Sequence, residues 1–395
     1  MSHPPQTDLR QRIADLIGRE GPIPFSRYME MCLYEPGLGY YARAREQFGK
    51  AGDFYTSSDV HALYGRLLCR QFDEMWRAMG SPVQLDFIEL GPGRGLFALD
   101  VLDWAQKKFP DFAAAIRYRL VETSEYLRTR LAERMADYLG KGQGSIYASL
   151  EEAAADSGES LIVFGNEFFD ALPVEIVTAR GEIRVTVDAT GHFAETTVPA
   201  RPEVLEYLDR YAVHPHAAES TEADSLPDFH ARTTRVEAPL AAQDWMNRIT
   251  AVFASRRGFA VFVDYGYTRA QQLAGRHLDT LMTYRQHTAS PDPYQAPGEQ
   301  DITTHVNFTA LRAVAEHACL KHLGLVTQAE FLMGIGEQNE FADAFSEAEL
   351  PQERAKIAMQ LKHLVTPAGL GEIFQVMTLA HGVDAPNLAG LKFAR

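Results

Sequence analysis

The sequence predicts an α/β chain built on a mostly parallel sheet with helices on both faces. Three observations carry this. Between residues 84 and 165, short apolar runs alternate with helical patterns, the order of successive βα units. A glycine-rich turn, Gly91-Pro92-Gly93-Arg94-Gly95, directly follows the first of these runs and opens a helix. The 395 residues are 46% hydrophobic and 23% charged, which is ample for a large core and too polar for a membrane-embedded chain.

From the N-terminus, Leu9, Ile13, Leu16 and Ile17 recur at helical spacing over 8–19, and Gly21-Pro22 ends that helix. Pro24 to Tyr34 reads as a second short helix. Leu33–Ala42 and Phe48–Ser58 are rich in glycine and aromatic residues and read as an ordered loop, and a strong helix follows over 59–79. The alternation then begins. It runs strand Gln84–Leu90, helix Leu96–Phe109 with Pro110 just past its end, strand Ile116–Glu122, helix Glu125–Leu139, strand Ser145–Ala148, helix Glu151–Ala155 and strand Ser160–Gly165. Val174–Val198 alternates polar and apolar residues, with turns at Arg180-Gly181 and Thr190-Gly191, as in a β-meander. Residues 213–238 are polar and poorly periodic, either a lid or a mobile loop. Helix Leu240–Arg256 and strand Phe259–Asp264 resume the α/β order. Helix Phe308–His322, strand Leu325–Ala329, helical segments to Leu364 and strand Ile373–His381 complete the chain. Three parts are expected: an N-terminal helical cap over 1–80, a sheet core over 81–173 and 241–395, and a β-rich insertion over 174–240 that would form one wall of the chain's binding site.

A net charge of −15 repels phosphate backbones and disfavours nucleic acid as a partner. The three cysteines, Cys32, Cys69 and Cys319, form no Cys-x-x-Cys pair, so neither a disulfide framework nor a thiolate zinc site is expected. His214-x-His216 has metal-ligand spacing but no evident third ligand. No apolar run reaches ~18 residues, so no membrane insertion is expected. A reducing, cytoplasmic setting is the default expectation.

The glycine turn separates two adenosine ligands. A dinucleotide fingerprint needs its third glycine five positions after the first, where Leu96 stands. Here the pattern is G-x-G-x-G over Gly91, Gly93 and Gly95, preceded by Glu89, and Pro92 removes an N–H that a pyrophosphate would use. A second acid, Glu122, ends the next strand, where a carboxylate would accept from both ribose hydroxyls. This pattern points to S-adenosylmethionine (SAM), with S-adenosylhomocysteine as product. A nicotinamide dinucleotide, or a turn merely shaped by glycines beside solvated acids, remains the alternative.

Asn166-Glu167-Phe168-Phe169-Asp170 lies beyond the carboxyl end of the fourth strand, where open α/β sheets bind ligands. Asn166 is grouped with the cofactor-binding residues. Glu167 and Asp170 are candidate catalytic carboxylates that would hold a guanidinium bidentately, although Asp170 would equally cap a following helix. Tyr265 either lines the acceptor pocket or belongs to the core. His305 is a third catalytic candidate, a base for a hydroxyl or amine acceptor, or else a bystander.

Six strings in order, Pro24–Ala42, Phe48–Ser58, Glu89–Gly95, Asn166–Glu175, Val263–Gly266 and Gly298–Phe308, resemble the MidA-like family of SAM-dependent methyltransferases. The family usually has Ser-Pro-Glu where this chain has Ser57-Ser58-Asp59, and an acid is common where His305 and Asn307 stand. The resemblance implies a seven-stranded, Rossmann-like class I methyltransferase core. It also implies a cover over the SAM site from Gly52-Asp53-Phe54, with Asp53 near the ligand's amino group and Phe54 on its apolar parts; a turn-capping role for Asp53 is the alternative. The implied acceptor is a protein, an arginine of a respiratory-complex subunit or its bacterial counterpart. A small-molecule methyltransferase and a SAM-binding, non-enzymatic assembly factor are the competing readings.

Overall fold

The computed structural model describes residues 8–43, 62–216, 235–367, 369–384 and 387–394. They form two compact units. One comprises described residues within 8–43, 170–244 and 267–311, the other those within 62–169, 245–266 and 312–394. The helix Ala62–Ala78 thus counts with the sheet unit and not with an N-terminal cap ending at residue 80, and 267–311 counts with the other unit. The reason for the first is its apolar stripe: Leu63, Leu67, Leu68, Phe72, Met75 and Trp76 are all buried in the core of the sheet unit.

The main sheet has β1 Leu85–Leu90, β2 Ile116–Val121, β3 Gly144–Tyr147, β4 Ser160–Asn166, β5 Arg257–Tyr267, β6 Lys321–Thr327 and β7 Phe374–His381. These seven run in the order β6-β7-β5-β4-β1-β2-β3, and an eighth, two-residue strand lies off this path. β1 to β5 pair in parallel, whereas β7 is antiparallel to both β5 and β6. Helices on both faces bury the parallel strands, which is why β1 reads as an unbroken buried run. Phe72, Phe87, Phe97 and Phe164 pack ring to ring in the core, with Phe97 stacked on Phe164 at 4.5 Å. From β1 the chain winds outward through β2 and β3, then returns to lay β4 on the other side of β1. That reversal makes a crevice at the carboxyl ends of β1 and β4, the place where such sheets bind ligands.

Several elements depart from the sequence expectations. The helix from Leu96 ends at Lys108, ahead of Pro110 as expected, but Pro110 also opens a further short helix, Pro110–Ala115, because a residue without an N–H is tolerated at a helix start. The expected helix Glu125–Leu139 breaks at Met135 into Glu125–Arg134 and Ala136–Gly140. Ser124 caps the first of these, its Oγ accepting from Leu127 N. The helix from Phe308 ends at His317, and a left-handed residue at Cys319 turns the chain early into β6.

In the other unit, Glu175–Thr178, Gly181–Val187 and Phe193–Val198 realise the expected meander. Ile23–Pro24 and Val236–Ala238 complete a five-stranded sheet. Val236–Ala238 lies within the segment read as a lid or a mobile loop; residues 217–234 of that segment fall outside the described residues. The insertion also holds a helix, Pro202–Tyr211, which buries Val204, Tyr207 and Leu208 along one stripe. Buried Glu182 is paired with Arg184 and Arg201.

Candidate active site

The glycine turn sits at the end of β1, on the crevice. Gly91, Gly93 and Gly95 all have positive φ, +62°, +51° and +72°, a region that other residues reach only with strain. The turn is pinned by Gly91 N donating to Val121 O at 3.0 Å and Gly95 N donating to Pro92 O at 2.8 Å. Space is short as well. A Cβ on Gly95 would lie 2.7 Å from Leu131 Cδ2, and one on Gly91 would lie 3.3 Å from the Phe168 ring. Gly95 then precedes helix Leu96–Lys108 with no side chain capping its first N–H groups.

The acids of the motif take different places. Glu89 points into the sheet, buried, and accepts from Tyr118 Oη at 2.7 Å; burial pushes its carboxyl up to about 8. Glu122 stands just past β2, also buried. Its Oε1 accepts from Ser124 N at 2.8 Å. Burial pushes this carboxyl up to about 7, against the pull of the Ser124 and Gly93 N–H groups and of Arg128. The Gly93 contact brings the Glu122 carboxylate to the glycine turn. A backbone that approaches closely, beside an acceptor for two hydroxyls, fits an adenosine ribose.

Across the crevice, at the end of β4, Asn166 Oδ1 accepts from Tyr64 Oη at 2.8 Å and Asn166 Nδ2 donates to Glu167 Oε1 at 3.0 Å. Glu167 itself has φ +51°, a strained value for a residue with a Cβ. Its N donates to Val263 O at 2.9 Å. Asp264, on β5 just past its last pair with β4, holds the turn that follows β4. Its Oδ2 accepts from Phe168 N at 3.2 Å and Phe169 N at 2.9 Å, and its Oδ1 from Tyr265 N at 2.9 Å. Tyr265 Oη reaches Glu167 Oε2 at 3.4 Å, and its ring packs on Phe374 at 4.2 Å. Phe168 packs edge-on to Trp245 at 5.0 Å.

Glu89, Gly91, Gly93, Gly95, Glu122, Asn166 and Glu167 therefore belong to one unit and one end of its sheet. Asp170 and His305 belong to the other unit. Asp170 caps no helix: 170–171 form a turn ahead of strand Glu175–Thr178, and its carbonyl accepts from Thr304 N at 2.9 Å. Its buried carboxyl faces Tyr41 and Tyr284, and Tyr41 Oη donates to Asp301 Oδ1 at 2.8 Å. His305 Nδ1 meets His277 Nδ1 at 3.0 Å. Burial, and then the neighbouring His277, push the His305 imidazole down to about 4. An imidazole that holds a proton so weakly is a poor general base near neutral pH, which counts against the catalytic expectation for His305. Asp53 and Phe54 lie outside the described residues. His214 pairs with Asp209 on an exposed surface. Among the described residues no group of three or more His, Cys, Asp or Glu is placed to hold a metal, and no helix is long and apolar enough to cross a membrane.

Tyr64 and Ser124 were not singled out from sequence. Tyr64 occupies one more position on the apolar stripe of its helix, and its partner Asn166 is far along the chain, so no local pattern marks it. Ser124 carried a readable signal, a serine immediately before a helical pattern.

Residues 67–326 match a protein family described as "Putative S-adenosyl-L-methionine-dependent methyltransferase". A crystal structure from Burkholderia thailandensis bound to S-adenosyl-homocysteine has 29% sequence identity, a TM-score of 0.78, and coverage of 98% of this chain and 95% of that one. Among curated proteins, the Drosophila melanogaster "Protein arginine methyltransferase NDUFAF7 homolog, mitochondrial" is 29% identical over 96% of this chain and 86% of its own length. The Homo sapiens "Protein arginine methyltransferase NDUFAF7, mitochondrial" is 28% identical over 95% and 84%. These relatives, named as mitochondrial, overturn the expectation of a cytoplasmic protein. That expectation rested on unpaired cysteines, which speak for reducing surroundings and do not choose among the compartments that provide them.

Proposed function

Because the chain belongs to this family of S-adenosyl-L-methionine-dependent methyltransferases, we propose that its acceptor is a protein and that the acceptor atom is a guanidinium nitrogen of arginine. SAM, the methyl donor, supplies an electrophilic methyl group on a sulfonium sulfur. The residues suited to hold it are Gly91, Gly93 and Gly95, through their close backbone, and Glu122, through the ribose hydroxyls. Glu89 serves the turn from behind, as a buried partner of Tyr118.

The observation that carries the acceptor reading is the Glu167 carboxylate. It sits on the turn whose next residue, Phe168, packs against Gly91. Its oxygens accept from Asn166 and Tyr265, which hold the carboxylate in one plane, and a carboxylate held so pairs bidentately with the parallel N–H groups of a guanidinium. Held this way, the guanidinium keeps its third nitrogen directed away from the carboxylate. Methyl transfer is an in-line displacement, so orientation contributes most of the acceleration. The names of the curated relatives support the same acceptor.

The test uses tritiated SAM and a cognate cell lysate. Label in a discrete protein band, recovered after hydrolysis as methylarginine and lost with Glu167→Gln, is expected. Label in an organic-extractable product would assign a small-molecule acceptor. Tight S-adenosylhomocysteine binding with no label in any fraction would assign a binding-only assembly factor.

A further inference from the structure

We propose that Tyr64 is a positioning residue for methyl transfer: through the Asn166 amide it fixes the orientation of the Glu167 carboxylate. The proposal rests on the reading that Glu167 holds the acceptor.

The direction of the hydrogen bonds is forced. An ionised carboxylate only accepts, so the end of Asn166 that meets Glu167 Oε1 is the NH2 group. The amide oxygen must then face Tyr64, and a carbonyl oxygen only accepts, so the tyrosine hydroxyl donates. The chain runs one way, from Tyr64 Oη–H to Asn166 Oδ1 and from Asn166 Nδ2–H to Glu167 Oε1. Bonds aligned in sequence polarise one another, and the amide NH2 becomes a better donor to the carboxylate.

Both ends of the chain are held. Tyr64 is fully buried, its ring tilted against Phe97 at 5.8 Å, and Phe97 is stacked on Phe164 of β4. Burial also keeps the hydroxyl protonated far above neutral pH, so it remains a donor at any working pH. At the other end, the left-handed backbone of Glu167 is braced by Val263 O on one side. On the other, Asp264 accepts from Phe168 and Phe169. A strained backbone held from both sides, with its side chain tied by a directional relay, matches a group that must keep one orientation. Tyr265 Oη steadies the second carboxylate oxygen at 3.4 Å.

The plain alternative is that Tyr64 only fastens its helix to β4. A double-mutant cycle separates the two. Tyr64→Phe keeps the ring and removes one hydroxyl. We expect its kcat to fall about ten-fold, the size of one lost hydrogen bond, in methyl transfer to a synthetic peptide of Gly-Arg-Gly repeats. The affinity for S-adenosylhomocysteine should stay within about two-fold. In a Glu167→Gln background the same change should cost nothing further, because the group it orients is gone. A Tyr64→Phe enzyme with wild-type kcat, or a ten-fold loss that simply multiplies that of Glu167→Gln, would overturn the proposal. Full activity of Glu167→Gln would instead remove the reading of Glu167, and the proposal with it. A crystal structure of Tyr64→Phe with S-adenosylhomocysteine needs no acceptor and decides the matter even if the peptide is not methylated. A rotated Glu167 carboxylate supports the relay, and an unmoved one refutes it.

Discussion

Glu122 turns the cofactor assignment into a pH dependence. Its carboxyl is buried beside the glycine turn and held up to about 7, with burial outweighing the N–H groups of Ser124 and Gly93. Ribose hydroxyls need an acceptor for both their protons, and the ionised carboxylate is the better one. Below about pH 7 the site is protonated before ligand arrives, so binding must first remove that proton and affinity is weakest there. Affinity therefore rises with pH through about 7 and levels off above 8. At pH 6 roughly a tenth of the molecules are ionised and at pH 8 roughly nine tenths, so the dissociation constant should fall about ten-fold between the two. In Glu122→Gln the group no longer titrates. The slope should vanish, and at pH 8 the affinity should be lower by ~1.5–3 kcal/mol, the usual worth of hydrogen bonds to a charged group. The assay is isothermal titration at pH 6, 7 and 8 with 5′-methylthioadenosine, which keeps the ribose but lacks the amino-acid group that titrates on its own. Equal wild-type affinity at pH 6 and 8, or a Glu122→Gln variant that retains the wild-type slope, would refute the ribose assignment.

Two further predictions address the rest of the turn. Gly95→Ala forces a side chain into φ +72° and against Leu131 at 2.7 Å, so it should destabilise the protein by ~2–4 kcal/mol in urea unfolding. Gly80→Ala is the control, with φ +80° and nothing within 4 Å, and Gly95→Ala costing no more than this control would refute the role given to the Leu131 contact. Glu89 supplies a stability slope. Its carboxyl loses its proton near 4.5 when unfolded but only near about 8 when folded, so it contributes stability that is lost as pH rises between those values. Across that window Glu89→Gln should show a shallower fall than wild type, by up to ~1.4 kcal/mol per pH unit; identical slopes would mean that Glu89 is ionised in its buried site.

What was legible in the sequence, and what was not, follows from the range of each interaction. Strands β4 and β5 are buried along most of their length, so Leu161–Phe164 and Phe259–Val263 appear as continuous apolar runs, and the glycine turn between β1 and its helix needs no distant information. Glu122 could be singled out because it closes the next βα unit at a readable spacing. Helix Pro202–Tyr211 was readable too, with Pro202 at its start and Val204, Tyr207 and Leu208 on one stripe, but alternating flanks drew the whole insertion toward strands. The supports of Glu167 left no such trace. Tyr64 and Asp264 lie 102 and about 96 positions from the residues they hold, and a tyrosine on an apolar stripe and an acid at a strand end are common residues in common places. The surroundings of His305 were equally out of reach of the sequence. Its character is set by His277 across a long segment and by burial, which turn a residue that titrates near neutral pH into one that stays uncharged. The positions proposed to bind the nucleoside are thus encoded locally, as backbone conformation and strand ends. The orientation of the carboxylate read here as holding the acceptor is a property of the folded sheet, assembled from three strands and a helix that meet only after the chain has closed.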